Sequence, residues 1–163
     1  MTKSIRNMLL GALALTLIVP AVGMAQTSAT DTATASATIL APITIAWAAD
    51  LDFGDIVADA TTAGTVTVAP DGTASSTTVQ LLAGTTQAAS FTVGGQSGRI
   101  FYVTPIGTIA LGGAGTMFAD IDVDCGTCTV GTDGVAVGGT LYVGAAQAAG
   151  AYSTTFDVTV SYQ

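Results

Sequence analysis

Histidine and glutamate are absent from this chain of 163 residues, and lysine occurs only at Lys3. Those absences remove the Ser-His-acid and Cys-His nucleophile arrangements and any glutamate pair, leaving aspartates alone as candidate acid/base groups. Asp52 with Asp55 is the pair to test for such chemistry, as in glycoside hydrolysis; the alternative is that the aspartates cap turns and coat the surface. The composition therefore points to a protein that is not an enzyme and needs no cofactor.

Positive charge is as scarce. Lys3, Arg6 and Arg99 face eleven aspartates, a formal charge of −8. Such a surface repels nucleic acid and anionic lipid, so neither is an expected partner. The only long apolar run is MLLGALALTLIVPAVG, which follows Lys3 and Arg6 and ends at Gly23, ahead of Met24-Ala25. This pattern predicts a secretory signal peptide over residues 1–25, cleaved before Gln26. Thr16 and Pro20 interrupt the run, which falls short of the roughly 20 apolar residues of a spanning helix. No stable membrane insertion is expected after cleavage. The remaining 138 residues suffice for one domain, with a formal charge of −10 from Arg99 against the eleven aspartates.

No window beyond the leader has a sustained 3.6-residue period, so any helix should be a single turn, near GAAQAAG at 144–150. Short alternating segments separated by Gly, Asp and Pro predict instead an all-β, antiparallel sandwich of about eight or nine strands. Candidate strands lie in 38–47, 51–57, 64–70, 77–83, 89–95, 99–106, 116–124 and 135–145, with a last one from Tyr152 to the C-terminus. In that last segment Tyr152, Thr154, Phe156, Val158, Val160 and Tyr162 share one parity and polar residues the other, the pattern of a half-buried strand. Turn chemistry is explicit at Pro70-Asp71-Gly72, Gly94-Gly95, Gly112-Gly113, Asp133-Gly134 and Gly138-Gly139. Residues 26–38 read as an N-terminal extension rich in Ala and Thr, and 39–163 as the sandwich.

Three constellations hold candidate site residues. Asp120, Asp122 and Asp124 begin like a calcium loop, but the sixth position is Cys125 and the twelfth Gly131, so they read better as the acidic outer face of a strand whose inner face is Ile121 and Val123. Cys125-Gly-Thr-Cys128 has redox or zinc spacing, yet neither a helix N-terminus nor a second ligand pair accompanies it. A disulfide stapling a turn is the better reading, its small loop stabilising by only ~1–2 kcal/mol. Trp47, Phe101 and Tyr102 could line a sugar site, although the parity of Trp47 points to the core.

Leu51-x-Phe53-Gly54, together with Gly150-x-Tyr152-x-x-x-Phe156-x-Val158-x-Val160-x-Tyr162, resembles a bacterial family of secreted, pilin-like β-sandwich proteins classed as a domain of unknown function. The ending also resembles chaperone-usher fimbrial subunits, in which a Gly fourteen residues from the C-terminus and a penultimate Tyr correspond to Gly150 and Tyr162. The resemblance implies an immunoglobulin-like fold and a final strand bordering a groove, filled first by a periplasmic chaperone and then by the N-terminal extension of the next subunit. It implies an exported structural subunit in the periplasm, on the cell surface or outside the cell, with an assembly edge of Gly150, Tyr152, Phe156, Val158, Val160 and Tyr162, and self-assembly with a chaperone and usher as partners. A second reading is a monomeric secreted binding module for a cation or glycan, using Asp120, Asp122 and Asp124. A remote third, an outer-membrane barrel, lacks the aromatics for two girdles.

Overall fold

The computed structural model of the chain describes residues 28–83 and 86–163. Residues 38–163 form one compact unit; residues 28–37, in a separate unit, carry neither helix nor strand. The expected signal peptide lies outside the described residues. Among those residues there is no helix, and the strands pair antiparallel throughout.

Thirteen strands are present where eight or nine were expected. They are β1 (Thr44–Ala49), β2 (Ile56–Val57), β3 (Gly64–Val68), β4 (Ala74–Thr77), β5 (Gln80–Leu81), β6 (Ala89–Gly94), β7 (Ile100–Val103), β8 (Gly107–Gly113), β9 (Thr116–Val123), β10 (Cys128–Thr129), β11 (Val135–Val143), β12 (Tyr152–Ser153) and β13 (Val160–Tyr162). The surplus has local causes. The expected strand at 77–83 breaks at Thr78, whose φ of 66° no strand tolerates, and separates β4 from β5. The segment from Tyr152 to Tyr162 lies in strands only at its two ends, so it is two strands joined by a stretch at 154–159 that belongs to neither.

The main sheet runs β1-β6-β11-β9-β8-β12, and the nine-residue β11 is its axis. One edge of β11 pairs β9 at 137–142; the other is divided, its first half pairing β6 at 135–137 and its second half β3 at 139–143. Gly138 and Gly139, expected in a turn, sit at this division in mid-strand. Their lack of a side chain is what the division requires: a Cβ on Gly138 would strike the carbonyl oxygen of Val68, and one on Gly139 would lie 2.8 Å from that of Asp120.

Two apolar clusters lie under the two halves of β11. Under its first half, Val135, Val137, Ala89 and Val93 pack against Phe101 and Val103 of β7 in a second sheet, ordered β10-β7-β13. Phe101 is fully buried there, and the two sheets stack as a sandwich-like pair of layers. Under the second half, Val66, Val68, Leu141, Met117 and Leu111 form a floor with Phe53 and Val79 against it. The second layer here is thin: among the described residues its regular structure is the β2-β5 pair, two residues a strand. Leu51 and Ile121 touch both clusters.

Trp47, expected in the core, is 64 % exposed. Trp47 stands opposite Phe91 on the edge strand β1, just before the register slips between Trp47 and Ala49, and its Nε1–H donates to Asp50 at 2.9 Å.

Candidate functional site

The stretch 154–159 crosses from the main sheet to the second sheet. At one end β12 pairs β8 through Tyr152 opposite Gly113 and Ser153 opposite Gly112. At the other β13 pairs β7 through Val160 opposite Val103 and Tyr162 opposite Phe101. The bonds outside the ladder, Thr104 N–H to Thr159 C=O at 2.9 Å and Gln163 N–H to Ile100 C=O at 3.2 Å, show that odd-numbered residues turn their main chain toward β7. In an extended chain the even-numbered residues then face the opposite edge. Among the described residues that edge has no strand: β13 pairs β7, and no backbone bond reaches the amides or carbonyls of 154–158.

The same even-numbered residues turn their side chains inward. Phe156, Val158, Val160 and Tyr162 are half-buried against the first cluster, while Thr155, Asp157 and Thr159 are exposed. At Phe156 and Val158 the side chains are thus packed while no described backbone bond uses the main chain.

Beside this edge lies a groove of about 890 Å³. Its floor is the second cluster, at Ile109, Leu111, Met117, Leu141 and Val143; one wall is the segment 51–58 and the other 146–154, continuing to Phe156. Half-exposed Val57 and Leu82 mark the rim. Leu111, Met117, Leu141 and Val143 of this floor are themselves buried, and Ile109 is half-buried.

Local chemistry holds the far wall in place. Tyr152 packs its ring on the cluster, donates its hydroxyl to the carbonyl of Ala148 at 2.8 Å and accepts from Gln147 Nε2 at 2.8 Å. Ala146 N–H donates to the carbonyl of Asp59 at 2.8 Å, joining this wall to the segment after β2. Gly150, at φ 152°, lets the wall approach the β8-β9 hairpin, since a Cβ there would lie 2.8 Å from that of Ala114.

Tyr162 is a clamp. Its hydroxyl donates to the carbonyl of Ala41 at 2.8 Å and accepts from the amide of Gln96 at 2.7 Å. It thereby ties the last strand to the chain entering β1 and to the turn after β6.

The other predicted residues fall elsewhere. Asp52 and Asp55 are on the groove wall; the Asp52 carboxylate accepts from Gly54 N–H at 2.8 Å and so shapes a turn. Cys125 and Cys128 are joined, with Cα atoms 5.7 Å apart, and are buried in the first cluster. Phe101 and Tyr102 point to opposite faces, one buried and one 46 % exposed, and line no common site with Trp47. Asp120, Asp122 and Asp124 are exposed and alternate with half-buried Ile121 and Val123. Among the described residues no three His, Cys, Asp or Glu side chains converge to hold a metal ion.

Asp120 instead holds two hydroxyls on the outer face of the main sheet. Thr108 Oγ1 donates to its Oδ1 at 2.5 Å, and the Tyr142 hydroxyl to its Oδ2 at 2.8 Å. The Thr108 bond first, then that of Tyr142, hold the Asp120 carboxyl below its ordinary range; the bond to Asp120, and then its negative charge, raise the Tyr142 phenol above its own.

Sequence reasoning passed over β8, and with it Ile109 and Leu111 of the groove floor. The alternation was present in Thr108-Ile109-Ala110-Leu111, but glycines at 107, 112 and 113 made the segment read as connection.

A family model described as Domain of unknown function (DUF4402) matches residues 43–162. No curated protein and no solved structure matches the chain.

Proposed function

As the chain belongs to the family described as Domain of unknown function (DUF4402), which names no activity, we propose from the groove and its open edge that it is an exported, non-enzymatic structural subunit. It assembles by accepting an extended strand from another chain. The observation that carries this reading is the run of main chain at 154–158 that no described backbone bond uses, lying beside a groove with an apolar floor. A strand laid in the groove would pair that edge, which is the physics of β-strand addition. Left empty, the same edge is an aggregation hazard, which gives a periplasmic chaperone its place before assembly.

The donor in this reading is the N-terminal extension of a second copy. Residues 28–37 form no strand of their own and place Ala29, Ala33, Ala35 and Ala37 on one parity, followed by Ile39, which is 95 % exposed. Alanines fill little of an 890 Å³ groove, so the main-chain bonds and Ile39 carry the docking. Each such bond contributes about 0.5–1.5 kcal/mol net.

Electron microscopy and unboiled gel electrophoresis test this on residues 26–163 and on the same chain lacking 26–38. The longer protein should form polymers and the shorter should stay monomeric. A synthetic peptide of residues 26–40 should raise the melting temperature of the shorter one. If both proteins are monomeric and equally stable, and the peptide does nothing, strand addition is lost.

A further inference from the structure

The outer face of the main sheet, away from the groove and both apolar clusters, carries a second arrangement. The strand register places Ser75, Thr67, Thr140, Asp120 and Thr108 in one row across β4, β3, β11, β9 and β8. The next row along the strands runs Thr77, Thr65, Tyr142, Phe118 and Ala110. Directly opposed residues of an antiparallel pair share a face, so the first row is polar throughout and the second has two aromatic rings side by side. Phe118 is 53 % exposed and Tyr142 47 %. Four inter-strand gaps make each row roughly 19 Å long.

Hydrogen bonding within the rows decides what the face can receive. Thr108 and Tyr142 both spend their only hydroxyl proton on Asp120. Toward solvent they offer lone pairs, as the carboxylate does. Thr67 and Thr140 share one bond at 3.0 Å, leaving a single proton between them. The row is therefore a line of acceptors with few donors, and its hydroxyls are held in place before any ligand arrives. Beside it the Tyr142 ring is fixed by its own hydroxyl, next to the Phe118 ring.

A partner must then supply many hydroxyl donors on its edges and an apolar C–H surface for the rings, and must carry no negative charge beside Asp120 and Asp122. Anionic polymers fail on charge and purely apolar surfaces fail on the acceptor row. A second copy of this face fails twice, since it brings acceptors to acceptors and carboxylates to carboxylates. We infer that this face binds a neutral polysaccharide, with sugar rings stacked on Phe118 and Tyr142 and sugar hydroxyls donating to Asp120, Tyr142 and Thr108. The site is independent of the groove, so either function can fail without the other.

The test is retention of the 26–163 protein on neutral polysaccharides, namely β-1,4-glucan, β-1,3-glucan, α-1,4-glucan and mannan, by affinity electrophoresis and pull-down. At least one should retain the protein, equally at low and high salt because no charge pairs across the contact. Phe118→Ala and Tyr142→Ala should each weaken retention at least tenfold without lowering the melting temperature by more than a few degrees, both rings being half-exposed. Tyr142→Phe should bind with intermediate strength. Trp47→Ala, which removes another exposed aromatic on the edge strand, should leave binding unchanged. The inference is overturned if none of the four polysaccharides retains the protein, if the Phe118 and Tyr142 variants bind as the parent does, or if only polylysine is retained and salt releases it.

Discussion

Tyr162 and Gly95 show how one residue constrains another far off in sequence. Gly95, at φ 147°, stands where the Tyr162 ring needs room; a Cβ would strike the hydroxyl. Tyr162→Phe removes two exposed hydrogen bonds and leaves the Gln96 amide and Ala41 carbonyl to water, at a cost of about 1 kcal/mol by chemical denaturation. Gly95→Ala should cost more, because it adds backbone strain to the loss of the same bonds. In the Tyr162→Phe background the added cost of Gly95→Ala should shrink, and a double-mutant cycle measures that coupling.

The exposed carboxylates set a second expectation at this scale. Asp59 is held below its ordinary range first by the Thr61 amide, then by the Thr61 hydroxyl and the Thr62 amide; Asp71 is held there by the Thr73 hydroxyl and then its amide. With Asp120 they form a set whose folded pKa values lie under the ordinary value of 3.8. For such groups the contribution to stability is present above that value and is lost as pH falls through the lower, folded one. The melting temperature should hold steady from pH 7 to about 5 and drop only below about 4. Tyr142 runs the other way: its raised pKa favours the protonated phenol, so its contribution is present below the ordinary 10.0 and is lost as pH rises above it. Thermal melts across pH 2–11 read both limbs.

Among the elements, the stretch 154–159 offers the sharpest test. No described backbone bond uses the amide of Val158, whose parity faces the open edge. Val158→Pro should therefore leave the monomer folded, losing about 1 kcal/mol from side-chain packing, and yet abolish polymer formation by removing a donor from the edge. Polymers as abundant as the parent's would remove 154–158 from the assembly surface.

Legibility differed from element to element. Where alternation and turn chemistry agreed, as in β3 with the Pro70–Gly72 turn or β9 with its acidic outer parity, the residues alone were enough. The last segment misled because alternation reports which side chains face inward, and both Tyr152 and Val160 do so whether or not their strand is continuous. Pairing depends on the neighbour, which one segment's pattern does not contain. Gly138-Gly139 misled for a related reason: a glycine that permits a turn also permits two backbones to approach in mid-strand, and only the divided edge of β11 selects the second use. The groove was legible only at its Gly150-to-Phe156 wall, its floor being drawn from β8, β9 and β11, which are far apart in sequence.

At the scale of the whole molecule, charge governs encounter. Residues 26–163 carry one arginine against eleven aspartates, so two subunits repel before any strand is exchanged. Assembly followed by light scattering should accelerate with salt, as the Debye length falls from about 10 Å at 0.1 M to about 3 Å at 1 M. Polysaccharide retention should be indifferent to the same change, which separates the two surfaces in a single preparation.

The Tyr162 clamp also has a mechanical meaning. Ala41, at the root of the extension, and Tyr162, on the last strand, are 121 positions apart in the chain and joined by one 2.8 Å bond. In a polymer built as proposed, tension enters a subunit at one of these places and leaves near the other. The load then passes through the clamp and along β13, lying in shear against β7, so the two apolar clusters are spared the strain of a chain being pulled.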